Sequence, residues 1–215
     1  MPNMHPTIGL TSMMFGKLRP RRIIFWLLLG LALDPSVSLA QGSSSKVEPQ
    51  SIDKVLDQLK TQKNRRIPFQ EFRMIPALKA PIQTKGVLAF YPPDTLIKSV
   101  EIPVPSTYVL SSTEIKVTDG ATGESRSLNP ETIPELDYIG SSLRSLLNGD
   151  KAALLSRWHV SLGGSNREWK LNLVPIDPAV SGLRRVEFQG QESDLKKIHI
   201  EALDGSSSQF ILGNP

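Results

Sequence analysis

The sequence predicts an α+β fold in which a strongly curved antiparallel β-sheet wraps around a few helices. Short segments that alternate apolar and polar residues follow one another along most of the chain, with turn residues between them. Helical spacing of apolar residues occurs in only two regions, just after residue 50 and in the middle of the chain. The alternation gives the sheet one apolar face, which must be covered. Curling around the helices covers it most economically; closure into a barrel or stacking on a second sheet are the alternatives.

The first 40 residues are organised like a secretory signal peptide. A basic stretch ending at Arg22 precedes an apolar run over 23–33, and small residues lead up to Ala40. The run is too short for a membrane span, which needs about 20 residues. We therefore expect cleavage near Ala40 and export, to the periplasm if the signal is bacterial, as its form suggests.

Two further segments follow the signal. Residues 41–50 are polar and rich in serine, so we expect a disordered lead, and 51–215 should form one domain. Four of the 25 basic residues and one of the 21 acidic residues lie in the signal, so the rest of the chain is almost neutral. This charge balance gives no support for nucleic-acid binding. The chain has no cysteine for a disulfide or a lipid anchor, which favours a soluble protein.

Three helices are predicted. Ser51 is a suitable N-cap for a first helix, because Ile52, Val55, Leu56 and Leu59 behind it form one apolar stripe. The spacing of apolar residues over 135–147 predicts a second helix, which Asn148-Gly149 ends. Asp150 is then expected to cap a short third helix over 152–155.

Strands account for most of the remaining chain. Proline, glycine and aspartate turns at 92–94, 119–123, 163–164 and 204–205 separate them. The predicted strands cover 69–74, 86–91, 96–102, 108–110, 115–117, 158–162, 169–173, 185–189, 197–201 and 210–212. Their pattern alone does not say whether the concave face is a filled core or encloses an apolar cavity.

Several short motifs follow one another at 69–73, 86–90, 93–98, 169–175, 183–190, 198–201 and 204–205. Their order resembles that of the LolA-like family of outer-membrane lipoprotein carriers, and the resemblance covers about residue 50 to 213. It implies an unclosed half-barrel with helices in its concave face and no catalytic activity. It also implies a carrier that takes an acylated client from an inner-membrane exporter to an outer-membrane receptor, and we expect it to act as a monomer. A sensor of mislocalised lipids with the same fold is the alternative.

Two departures from the family pattern concern the lid. In the lipoprotein carriers an arginine just before the turn proline helps to hold the lid closed, and Pro92 stands there in this chain. Leu96 replaces an aromatic residue a few positions further on. Arg144 and Arg157, which flank the predicted helical hairpin, are the candidates to replace the lid arginine. We therefore expect the client to be a lipoprotein or another acylated molecule, such as a glycolipid or a polyketide-like lipid.

The predicted site is an apolar surface that holds acyl chains. Its wall is expected to consist of Leu88, Phe90, Leu96, Leu171, Leu173, Val186, Phe188, Ile198 and Ile200, and its lid of Leu143, Leu146, Leu147, Leu154 and Leu155. No metal, cofactor or catalytic residue is expected. His159 and His199 are not part of a ligand cluster, and the chain has no Gly-x-Ser-x-Gly motif, although a Ser-His-Asp arrangement stays possible.

Overall fold

The computed structural model describes residues 51–61, 66–165 and 167–213. The predicted signal peptide over 1–40 and the lead over 41–50 lie outside the described residues. No helix in the part of the chain that the structure describes is long and apolar enough to cross a membrane.

One antiparallel sheet of eleven strands dominates the described residues. Its strands are β1 (Arg66–Met74), β2 (Ile82–Tyr91), β3 (Thr95–Ile102), β4 (Ser106–Leu110), β5 (Ile115–Asp119), β6 (Ser125–Leu128), β7 (Trp158–Gly164), β8 (Glu168–Pro175), β9 (Leu183–Gln191), β10 (Asp194–Ala202) and β11 (Ser207–Leu212). Their spatial order is β6-β5-β4-β3-β2-β1-β11-β10-β9-β8-β7, so β6 and β7 are unpaired edges and the sheet is not closed. The predicted α+β fold with an unclosed antiparallel sheet is confirmed.

The sheet consists of two meanders that meet in its centre. Strands β1 to β6 run outward in one direction, two of the helices follow, and β7 to β11 return until β11 pairs with β1. Phe69 lies opposite Leu212 at this junction, and Phe210 packs against Phe69 with 5.8 Å between the ring centroids. The connection from β6 to β7 therefore leads from one open edge of the sheet to the other.

The predicted strands are all present, and one strand was missed. All four residues of β6 are exposed, so Ser125–Leu128 has no apolar alternation to reveal it. The turn before it has the expected chemistry, because Asp119 Oδ1 accepts hydrogen bonds from the backbone N–H groups of Ala121 and Thr122.

The three predicted helices are also present: α1 (Ile52–Lys60), α2 (Pro134–Asn148) and α3 (Lys151–Arg157). The Ser51 side chain accepts from the backbone N–H of Lys54, and Asp150 caps α3 by accepting from the N–H of Ala153. Gly149 ends α2 with φ at 72°, a left-handed conformation that glycine adopts without a Cβ penalty. A 3₁₀ turn at Pro130–Thr132 and a short helix α4 (Pro178–Ser181) were not predicted.

The main core extends from the three helices over the second meander to Phe69 and Val100 of the first. Leucines from α1, α2 and α3 pack with side chains of β7 to β9, and many of them are completely buried. The members from the three helices include Leu59, Leu146 and Leu154, and those from the strands include Trp158, Leu171, Leu173, Val186 and Phe188. A second, smaller cluster joins Phe90, Leu96 and Leu147 on the first meander.

Candidate functional site

A cavity of about 310 Å³ lies between α2 and the concave face of the sheet. We call it the apolar cavity. Its apolar lining comes from α2 and from strands on both sides of the β1–β11 junction, and includes Leu88, Leu96, Leu110, Leu136, Ile139, Leu143, Leu147, Phe188, Ile198 and Phe210. The volume is at the lower end of the range of small-molecule pockets, about 300–1,000 Å³.

The structure brings eight of the fourteen predicted site residues to this cavity. They are Leu88, Phe90, Leu96, Leu143, Leu147, Phe188, Ile198 and Ile200. The first three come from β2 and β3, the last three from β9 and β10, and the two leucines from the lid helix α2. The side chains thus converge from the two meanders and the lid.

Five other predicted site residues lie in the filled core. Leu146, Leu154, Leu171, Leu173 and Val186 have no exposed surface at all and do not line the cavity. These five side chains pack together in the main core, so no room for a ligand remains between them.

Leu155 does not lie at the lid's inner surface. It is 43 % exposed, whereas its neighbour Leu154 is fully buried. Consecutive residues of a helix point about 100° apart, so on the short helix α3 only one of the two leucines faces the core. The sequence predicted both leucines in the lid interior, and the structure buries only Leu154.

Several lining residues were not in the predicted site. Leu136 and Ile139 belong to the apolar stripe of α2, and extending the predicted lid by two helical turns would have included them. Gly140 lies on the same face, where its missing side chain lets Leu110 approach the helix. The alternation along β4 places Tyr108 and Leu110 on the concave face, so the sequence pattern could have identified both as lining residues.

A buried ion pair also lies on the concave face, and the apolar pattern did not reveal it. Lys98 Nζ is 2.5 Å from Glu71 Oε2, and the Thr84 hydroxyl donates to the same oxygen at 3.1 Å. Glu71 is only 5 % exposed, so its charge requires such partners. Three aromatic rings surround the ammonium at 5.1–5.8 Å between Nζ and the ring centroids, those of Phe69, Tyr108 and Phe210. The pair is therefore held firmly in place.

A second cavity of about 600 Å³ adjoins the first. We call it the polar cavity, because ionisable and hydroxyl side chains make up much of its lining, which consists of Glu71, Arg73, Ile82, Thr84, Lys98, Val100, Pro103, Val104, Pro105, Ser106, Tyr108, Val117, Thr118, Asp119, Glu124 and Arg126. Glu71, Arg73, Lys98 and Tyr108 line both cavities. The ion pair thus lies where the two spaces meet.

The lid helix is attached to the β2–β3 turn by polar contacts. Arg144 Nε lies 3.4 Å from Asp94 Oδ1, and the Asn148 side-chain amide donates to the Pro93 carbonyl oxygen at 2.6 Å. Asp94 also accepts from the backbone N–H of Ser112 in the β4–β5 turn. Burial lowers the pKa of Arg144 below its usual value, and the Asp94 and Asp137 carboxylates oppose this only in part. Of the two candidate lid arginines, Arg144 is therefore the one at the turn.

Arg157 holds the helical hairpin together instead. Its guanidinium lies 2.7 Å from Asp137 Oδ2, donates to the Ser141 hydroxyl at 2.9 Å, and stacks 3.7 Å above the Tyr138 ring. All three partners belong to α2, so Arg157 fixes α3 to the lid helix and does not reach the turn.

The two histidines of the sheet do not face the cavities. His199 Nε2 lies 3.1 Å from Glu201 Oε1, and His159 is exposed. Within 51–61, 66–165 and 167–213, no three His, Asp or Glu side chains lie together in a way that could hold a metal ion.

The sequence matches the model of one protein family, described as outer membrane lipoprotein carrier protein LolA-like, over residues 44–214. No curated protein sequence matches the chain.

Solved structures with a similar chain path are distant in sequence. A LolA superfamily protein from Nitrosomonas europaea is 10 % identical, with a TM-score of 0.41 over 76 % of this chain and 90 % of that one. A DUF1329 family protein from Desulfovibrio piger is 12 % identical, with a TM-score of 0.44 over 76 % and 89 %. A chain of the Pseudomonas aeruginosa MucA/MucB complex is 10 % identical, with a TM-score of 0.40 over 75 % and 55 %.

Proposed function

Because the chain belongs to the family of LolA-like outer membrane lipoprotein carrier proteins, we propose that it is a periplasmic carrier that shields the acyl chains of a client. The observation that supports this most directly is the apolar cavity between the lid helix α2 and the curved sheet. Such a space removes acyl chains from water without covalent chemistry, so the function needs no catalytic group.

The size of the cavity suits reversible binding. Each methylene group removed from water contributes about 0.8 kcal/mol, so partial burial of an acyl chain yields a few kcal/mol before the cost of ordering the chain. A carrier has to release its client, and this modest affinity permits release. The eight predicted residues at the cavity are the acyl-binding residues in this proposal: Leu88, Phe90, Leu96, Leu143, Leu147, Phe188, Ile198 and Ile200.

Access to the cavity is controlled by the contacts of α2 with the β2–β3 turn. The main core fixes the helices to the second meander, so opening requires the first meander to separate from α2. The small cluster around Leu147 and the Arg144–Asp94 pair resist this separation. In the carriers that the sequence resembles, the arginine stands on the turn; here the turn supplies the carboxylate and the lid helix supplies the arginine.

The client in this proposal is a lipoprotein or another acylated or polyketide-like lipid. Pro92 in place of the family's arginine supports a branch with a client of its own. An inner-membrane exporter and an outer-membrane receptor complete the route, with the protein acting as a monomer. Export depends on the predicted signal peptide over 1–40, and the domain over 51–215 includes most of the matched residues.

Native mass spectrometry tests the proposal. The full chain is expressed with its own leader in a bacterial host and extracted from the periplasm without detergent. We expect cleavage near Ala40 and a mass excess that solvent extraction resolves into an acylated molecule. A bare protein that also fails to take up a fluorescent fatty-acyl probe would count against the carrier function.

A further inference from the structure

The polar cavity has features that a site for acyl chains alone does not need. Its volume is about 600 Å³, and its walls carry three basic and three acidic side chains. Thr84, Ser106 and Tyr108 add hydroxyl groups, which can donate and accept hydrogen bonds.

The two cavities adjoin each other. Glu71, Lys98 and Tyr108 line both of them, so the two spaces meet at these three side chains. An amphiphile whose chain fills the apolar cavity therefore places its next atoms beside the buried ion pair and its polar end beyond it.

The charges of the polar cavity are balanced. Glu71 and Lys98 neutralise each other, and Asp119 is engaged by backbone N–H groups in the β5–β6 turn. Neither Glu124 nor Arg126 has a salt-bridge partner within the described ranges 51–61, 66–165 and 167–213, and each is exposed at the edge of the sheet. The remaining lining therefore carries two basic side chains, Arg73 and Arg126, and two acidic ones, Asp119 and Glu124, so that the polar cavity has no net charge.

We propose that the polar cavity binds the polar end of the acylated client, and that this end is dipolar, carrying both signs of charge without a net charge. This inference rests on the proposed carrier function. A group with a net charge would meet a repulsive side chain for each attractive one, whereas a dipolar group pairs with both. A zwitterionic lipid headgroup and the polar peptide end of an acylated polypeptide share this chemistry.

The test compares ligands that have a sixteen-carbon chain and different polar ends. Binding of the full-length exported protein to palmitoyl lysophosphatidylcholine, palmitoyl lysophosphatidylglycerol, a palmitoylated zwitterionic dipeptide and hexadecanol is measured at concentrations below those at which the ligands aggregate. We expect at least one dipolar ligand to bind about tenfold more tightly than hexadecanol, and the anionic lipid to show no such preference. Which dipolar ligand binds more tightly distinguishes a lipid from a peptide source.

The double variant Glu124→Gln/Arg126→Gln should abolish this preference and leave hexadecanol binding unchanged. Both residues are exposed near the edge strand β6, so the fold does not depend on them. Lys116→Gln is the matched control, because Lys116 is exposed on β5 and alternates with Val117, which lines the polar cavity. The control should keep the preference.

Three results would overturn the inference: equal affinities of wild type for dipolar ligands and hexadecanol, a preference for the anionic lipid, or a preference that survives the double substitution. Phosphocholine without an acyl chain is also tested, and tight binding of it would indicate a separate small-molecule site. If hexadecanol also fails to bind, the carrier function itself is contradicted, which distinguishes that failure from the loss of the headgroup preference alone.

Discussion

The two meanders of the sheet face the same helices and are packed very differently. Beneath β7, β8 and the adjoining part of β9, leucines from all three helices fill the space, and Leu171, Leu173 and Val186 have no exposed surface. The apolar cavity lies between α2, β9 to β11 and the first meander, and the polar cavity lies along the first meander, where a small cluster and a few polar contacts hold α2. In the proposed function, the filled side anchors the lid and the hollow side binds and releases the ligand.

Removal of side-chain volume should produce the largest difference between the two sides. We expect Leu173→Ala to destabilise the fold by about 2–5 kcal/mol, because it leaves a new void in a filled core. Leu88→Ala should cost less than about 1.5 kcal/mol, because Leu88 already borders a cavity. Urea denaturation of both variants measures this, and equal losses with equal m-values would remove the distinction between a filled and a hollow side.

A larger side chain should be tolerated on the hollow side and should destabilise the filled side. Leu171→Trp is expected to destabilise the filled side by about 1–3 kcal/mol through overpacking. Leu88→Trp should be tolerated, because the ring can enter the apolar cavity, and it should weaken binding of a fluorescent acyl probe by about tenfold. Full probe binding by a folded Leu88→Trp protein would show that acyl chains bind elsewhere.

The contact between α2 and the β2–β3 turn should affect ligand exchange more than stability. Arg144→Met keeps the apolar stem and removes the guanidinium, and we expect the acyl probe to dissociate about fivefold faster, equivalent to about 1 kcal/mol. Asp94→Asn should produce a similar change, and the double variant should add little to either. Stopped-flow dilution measures the rates.

Arg157→Met is the matched control for this experiment. Arg157 joins α3 to α2 on the filled side, so its loss should lower stability and leave the dissociation rate unchanged. Equal acceleration by Arg144→Met and Arg157→Met would mean that the turn contact has no special role in opening.

The smallest expected effect concerns the outer face of the sheet. A hydrogen bond from Arg185 holds the pKa of Glu201 below its usual value, and burial opposes this, with His199 adding to the lowering. Because the folded-state pKa is the lower one, this interaction stabilises the protein above the unfolded-state pKa, about 4.3, and is lost as the pH falls through the folded-state pKa.

Glu201→Gln should therefore reduce stability at neutral pH by less than about 1 kcal/mol and flatten its decline in acid. Thermal unfolding between about pH 3 and 7 measures this. Acyl-probe binding should not change, since Glu201 lines neither cavity. A loss of probe binding would show that the outer face communicates with the concave face.

The sequence predicted the periodic parts of the molecule and could not predict which side is filled. Alternation along β8 and β9 and along β2 and β3 is similar, because it reports which face is apolar and not how deeply the face is covered. Leu88 and Leu173 therefore looked equivalent, although one borders a cavity and the other is completely buried.

Polar pairs between residues far apart in the sequence could not be predicted either. Glu71 and Lys98 are 27 positions apart, and Asp94 meets Arg144 only because α2 crosses the concave face. Neither pair forms a local motif. The sequence offered Arg144 as a candidate for the lid contact. Its partner Asp94 could be identified only from the three-dimensional structure. The exposed strand β6 had no apolar pattern at all.

The pairing of β1 with β11 has a consequence for the order of folding. These strands come from opposite ends of the described chain, so the centre of the sheet closes only after almost all residues are available. Contacts of such long sequence separation form slowly, because loop-closure entropy is lost before the contacts form. The apolar cavity has walls on both sides of this junction. The walls of this cavity therefore come together only when nearly the whole described chain, from β1 to β11, is available.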